Sequence, residues 1–165
     1  MNKIILSVSI LATLLVACKP STDEAIAYND KIMGIVNKLT DTHNAFLYQI
    51  DGHNIDSLKI TQEVFSKTAK VSVEEASKIE GFNNSKEFSD AAVNYFKTMS
   101  AMVDNEAKQL VEVMSKDSTQ ITEQDVAKVQ ELATKFDAIY EKSFNELEKK
   151  QEAFAKEWKF KLELK

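Results

Sequence analysis

The chain has 165 residues, 44% of them apolar and 28% charged, with 3 Gly and 1 Pro; this fits one ordinary globular domain and excludes wholesale disorder, collagen-like repeats and a multi-span membrane protein. All 21 basic residues are lysine, so the planar fork that grips phosphate or carboxylate in a bidentate fashion is missing throughout. A formal charge of −5 argues further against a nucleic-acid binder, which needs a basic footprint to displace counterions.

The first residues are Met1, Asn2 and one positive charge, Lys3. An apolar run of 14 residues, Ile4 to Ala17, leads to Cys18, the only cysteine. That is the layout of a secretory signal, and the run falls short of the roughly 20 residues that a bilayer-spanning helix needs. The alternative is an uncleaved anchor with an incidental thiol. Leu15-Val16-Ala17-Cys18 resembles the lipobox of bacterial lipoproteins. The resemblance implies removal of a signal peptide, residues 1–17, a diacylglyceryl group on the Cys18 sulfur and acylation of the new amino terminus. Several chains hold well, because each buried methylene adds about 0.8 kcal/mol of membrane affinity. Lys19 is unlike the aspartate that marks inner-membrane retention in such lipoproteins, which implies the outer membrane, at its periplasmic face or on the cell surface. Asp23 and Glu24 faintly resemble a surface-export signal, although two acids there also fit a solvated linker.

Residues 18–22 are read as the lipidated cysteine and its tether, and residues 23–165 as one domain. After Pro20 there is no proline, which favours long helices. Between Asp23 and Asp51 the residues Ile32, Ile35, Val36, Leu39, His43, Phe46, Leu47 and Ile50 recur at steps of three and four, predicting an amphipathic helix that ends at Asp51-Gly52-His53-Asn54. A weaker stripe, from Ile55 through Phe65 and Ala69 to Ile79, predicts a second helix, with Gly81 expected as its left-handed cap. The third is expected to start after Asn84 or Ser85, with Asn84 and Glu87 spaced as a capping box. It carries Phe88, Ala92, Tyr95, Met99, Met102, Glu106, Leu110 and Val113 and stops near Lys116.

The fourth start has the strongest signal: Thr122 and Asp125 stand three apart as cap and return partner, flanked by Ile121 and Val126 as a hydrophobic staple. Its stripe runs from Val126 through Phe136, Tyr140, Phe144 and Phe154 to Trp158. The expected fold is therefore all-α, an antiparallel up-down-up-down four-helix bundle after a cleaved lipoprotein signal peptide. In that topology the start of the first helix, the turn between the second and third and the end of the fourth share one end, beside the lipid.

The last segment, Lys149 to Lys165, holds six lysines against three glutamates and alternates Trp158, Phe160, Leu162 and Leu164 with charge, as a strand would. Two roles fit it. Trp158, Lys159, Phe160 and Lys161 are candidates for a membrane interface on anionic headgroups beside the anchor. Alternatively Trp158 and Phe154 cap the core and the lysines form a wet face, the commoner meaning of an aromatic stripe at helical spacing.

Chemistry is sparse. A carboxylate-bridged di-iron site needs a Glu three residues before a His on two helices, and Thr40 and Ile50 stand there instead. His43 and Met114 fall at the same end, as an axial pair for haem would, yet one His on an apolar stripe is ordinarily core. His53 beside Asp51 is a weak metal pair already explained as turn residues. No nucleophile elbow or glycine-rich phosphate loop is present, so no catalytic residue, metal or cofactor is assigned.

Ala27-Tyr28-Asn29-Asp30 followed by Ile32 resembles the start of small all-helical surface lipoproteins, which implies surface display and no enzymatic role. The expected function is a membrane-anchored envelope lipoprotein acting as a helical binding or structural module. Its acidic span Asp104 to Glu148 would face an envelope protein, a host molecule or a sister copy. The alternative is a carrier of a small apolar ligand within the bundle, between layers of Ala69, Ser72, Ala76, Ala91 and Ala92. Oligomeric state is left open.

Overall fold

The structure is a computed structural model that describes residues 19–52 and 54–162. The expected signal peptide (residues 1–17), Cys18, His53 and residues 163–165 lie outside the described residues. The described residues are helical, with no strand among them beyond one isolated bridge. Five α-helices make four rods: α1 (Thr22–Gly52), α2 (Ile55–Ser77), a third rod of α3 (Glu87–Met102) and α4 (Lys108–Met114) joined by a π-helical turn, and α5 (Glu123–Trp158).

The starts of α1, α2 and α5 are explained by local chemistry. Ser21 Oγ accepts the Glu24 N–H at 3.2 Å while Glu24 Oε2 accepts the Ser21 N–H at 2.7 Å, a reciprocal box that opens α1. Glu24 is thereby a capping residue, not linker. Asn54 caps α2 by accepting the Ser57 N–H at 3.0 Å. Thr122 and Asp125 form the expected box at α5, and Lys116 Nζ sits 2.6 Å from Asp125 Oδ1, holding that carboxyl down at about 2. Ile121 and Val126 stay exposed, so this start is fixed by the polar box alone and not by a buried staple.

The connection from α2 to α3 departs from expectation. Helix α2 ends at Ser77, and Gly81 is not left-handed. The positive φ values belong to Asn83 (50°) and Asn84 (66°), the centre of a two-residue turn in which Phe82 and Ser85 exchange backbone hydrogen bonds of 2.8 and 3.0 Å. Asparagine tolerates that conformation, as paired primed turns require. Asn84 is thus spent on the turn and caps nothing; α3 starts at Glu87 from Lys86 without a side-chain cap. Gly81 is needed for space, because a Cβ there would run into the Ser85 carbonyl oxygen and lie 2.8 Å from the Lys86 side chain. Gly81→Ala is therefore expected to lower stability by about 1–3 kcal/mol in urea titration.

The third rod carries a feature no periodicity announced. Residues Val103–Ala107 form a widened π turn, and burial passes through it at Met99, Met102, Val103, Glu106, Ala107, Leu110 and Val111. Glu106 is buried there, with Oε1 2.6 Å from Lys135 Nζ of α5. Next to it Asp104 accepts from Ser66 Oγ at 2.7 Å and pairs with Lys70 of α2 at 2.9 Å.

Contacts between α1 and α2, between the third rod and α5, and between α1 and α5 run in opposite order along the two partners. Lys38 meets Glu75 at 3.8 Å, while His43 and Phe46, later in α1, meet Phe65, earlier in α2. Glu87 pairs with Lys150 at 2.7 Å and Glu106 with Lys135. Asn29 accepts from Gln151 at 2.9 Å, and His43 lies against Tyr140. The core between the rods is built from Ile32, Leu39, Phe46, Leu58, Phe65, Phe96, Met99, Phe136 and Leu147 among others.

Helix α5 does not continue into a strand. Lys159 adopts a left-handed conformation (φ 60°), its N–H reaching Lys156 O at 3.4 Å while the Phe160 N–H reaches Ala155 O at 3.1 Å. This is a Schellman ending, normally reserved for glycine. A non-glycine residue in that region costs roughly 1 kcal/mol or more. Lys159→Gly is expected to raise stability by about 1 kcal/mol, read as a later unfolding midpoint at unchanged slope.

Candidate functional site at the tether

The sequence leaves one end of the molecule with the most unexplained residues, and the structure brings them together. Trp158, 5% exposed, packs edge-on against Phe82 at 4.8 Å, and Phe82 lies 5.1 Å from Tyr28 and 5.5 Å from Phe154. Phe88 joins Phe154 at 5.4 Å and Phe160 covers it from the tail at 6.0 Å. The start of α1, the turn after α2 and the end of α5 therefore meet in one aromatic cluster. Edge-to-face and tilted pairs of this kind add about 0.5–1.5 kcal/mol each beyond area burial.

The tether is attached to this cluster. Lys19 Nζ lies over the Trp158 ring, 5.2 Å from its centroid, and Thr22 Oγ1 donates to the Trp158 carbonyl at 3.2 Å. The Thr22 hydroxyl gives the Trp158 carbonyl a partner at a helix end carrying negative partial charge, and Lys19 adds a cation over the indole ring. Of the four tail candidates, Lys159 and Lys161 are exposed, Phe160 is half-buried, and Trp158 is core. The indole is buried, bounded by Phe82, Phe154 and Lys19, as the capping role expects.

His43 is also core. It is 5% exposed, stacked obliquely 4.4 Å from Tyr140 and about equally distant from Phe136 (5.4 Å) and Phe65 (5.5 Å), and neither ring nitrogen has a hydrogen-bond partner among the described residues. Burial pushes its pKa down to about 4, against a smaller opposing pull from Asp137. Among the described residues no three His, Cys, Asp or Glu side chains converge to hold a metal ion, and no helix is long and apolar enough to cross a membrane.

Ala69, Ser72, Ala76 and Ala92 are buried and Ala91 is half-buried, and none of them lines either of two grooves on the surface. Small side chains at these points let the rods approach. The acidic span Asp104 to Glu148 is divided: Asp104, Glu106, Asp125 and Glu131 are committed to ion pairs within the chain, whereas Glu112, Asp117, Glu123, Asp137, Glu141, Glu146 and Glu148 make no ion pair among the described residues. No family model, curated protein or solved structure matches the chain.

Proposed function

We propose that the protein is a bacterial envelope lipoprotein, held by lipid on Cys18 in the outer membrane, whose helices form an up-down-up-down four-helix bundle that serves as a binding or structural module without catalysis. The observation that carries the proposal is the docking of the tether: Lys19, the residue that follows the lipobox cysteine, rests on Trp158, and Thr22 is bonded to the same residue. An anchor at Cys18 would thus be one residue away from the core, so the bundle would be held in a set orientation to its membrane and not swing on a loose linker. The antiparallel order of the rod contacts supports the bundle topology, and the free acids of α5 supply a polar face on which an envelope protein or host molecule could be bound.

The exposed lysines extend the proposal. Lys159 and Lys161 flank the tether, where each lysine near an anionic leaflet contributes about 1 kcal/mol of attraction. Their role is secondary to the acyl chains. Metabolic labelling with palmitate tests the anchor: incorporation into the wild-type chain and its loss in Cys18→Ser are expected. A wild-type chain that stays unlabelled and is released from membranes by salt overturns the proposal.

A further inference from the structure

We infer that the groove between α1 and α2 at Gly34 is a binding site for the chain of a free medium-chain fatty acid, its carboxylate held by Lys31 and Lys78. Gly34 is the starting point. It sits near the middle of a 31-residue helix, where glycine costs about 1 kcal/mol relative to alanine. Neither of the usual reasons for glycine applies. Its φ is not positive, and a Cβ placed on it would meet nothing within 4 Å. Gly34 is exposed, and its missing side chain leaves open the space outside the helix.

That space is a groove of about 470 Å³ floored by Gly34, Ile35 and Ile79. Both isoleucines belong to the core, so the floor is apolar and rigid. Charges of both signs stand along the rim: Lys38 is drawn to Glu75 at 3.8 Å, while the cations Lys31 and Lys78 and the single acid Asp30 make no ion pair among the described residues. Two uncommitted cations against one uncommitted acid leave the rim of this apolar channel net positive, which fits an anionic amphiphile.

Size decides between a small ligand and a protein. The volume lies in the roughly 300–1,000 Å³ range of small-molecule sites, whereas a stable protein partner needs about 800 Å² of contact on each side. From Asp30 to Lys38 the groove runs about 12 Å at the helical rise per residue, which suits one chain of moderate length and not a two-chain phospholipid. The inference does not depend on Cys18 being lipidated.

The test uses the full chain in bacterial membranes and decanoate carrying a photoactivatable diazirine at its far end. Adducts are expected to concentrate on residues 31–38 and 75–79 and to be quenched by excess decanoate. Gly34→Leu should cut this labelling by about tenfold, because a helical side chain lies over the preceding turn and would fill the channel. The same change raises helix propensity, so an unchanged or higher melting temperature by circular dichroism separates blocking from unfolding. A decyl-trimethylammonium probe of equal length should label the groove about tenfold less than decanoate. Labelling spread evenly along the chain, equal labelling by the cationic probe, or undiminished labelling in Gly34→Leu overturns the inference. If Gly34→Leu does not fold, the Lys31→Gln/Lys78→Gln pair replaces it, and full decanoate labelling there overturns the inference too.

Discussion

Acidification from pH 7 to pH 4 is expected to remove about 3 kcal/mol of folding stability through His43 alone. The imidazole is buried among Tyr140, Phe136 and Phe65, and its pKa falls from the ordinary 6.5 to about 4 because burial disfavours the cation. Above about pH 6.5 the ring is neutral in both folded and unfolded chains and pH has no effect through it. As pH drops below that point the unfolded chain takes up a proton that the folded chain refuses, so stability declines until the folded ring also titrates near 4. The carboxylates act lower down. Asp125, held near 2 chiefly by Lys116, contributes stability that is present above the ordinary aspartate range and lost as pH falls from about 4 towards 2.

The two windows can therefore be resolved by urea unfolding across pH. His43→Leu removes two unpartnered ring nitrogens from an aromatic setting and is expected to be more stable than wild type by about 1–3 kcal/mol at pH 7. It should also lose most of the slope between pH 6.5 and 4.5 while keeping the slope below it. Parallel curves for wild type and variant between pH 6.5 and 4.5 would show that His43 is not the titrating group.

The rods were legible because their stripes are long: Ile32 to Phe46 and Phe136 to Trp158 repeat at helical spacing for many turns, and only a helix turns such a pattern into one buried face. The Thr122 and Asp125 box was legible because its two halves are local. What could not be read was settled by contacts between distant segments. Gly81 and Asn84 have the right chemistry for caps, yet the tight passage beside Ser85 and the left-handed turn used them first. A π turn changes backbone register without a compositional mark, although a lone acid at Glu106 on an apolar stripe, with Lys135 on the facing helix, was a usable hint. The small-residue positions Ala69, Ser72 and Ala76 carried no information on cavity against close packing, because both ask for small side chains. Gly34 has no distinguishing mark in the sequence; the open space beside its missing side chain is visible only in the structure.

Trp158 shows the same ambiguity at its sharpest, and one substitution separates its two roles. A tryptophan alternating with lysines at a chain terminus belongs equally to an interfacial belt and to a capped core. With the ring 5% exposed and bounded by Phe82, Phe154 and Lys19, Trp158→Ala is expected to lower stability by about 3–5 kcal/mol, a large share of the roughly 5–15 kcal/mol of an ordinary domain. Because the cluster joins α1, the α2–α3 turn and α5, the loss should free the tether as well. Limited proteolysis would then cut near Lys19 faster in the variant. Lys161→Ala, at an exposed position with no ion pair or hydrogen bond among the described residues, should stay within about 0.5 kcal/mol of wild type. An interfacial indole would give the reverse pattern: a change of under about 1 kcal/mol in urea with a clear loss of binding to anionic vesicles by the Cys18→Ser chain. That outcome would move Trp158 out of the core and leave the orientation of the bundle to the acyl chains alone.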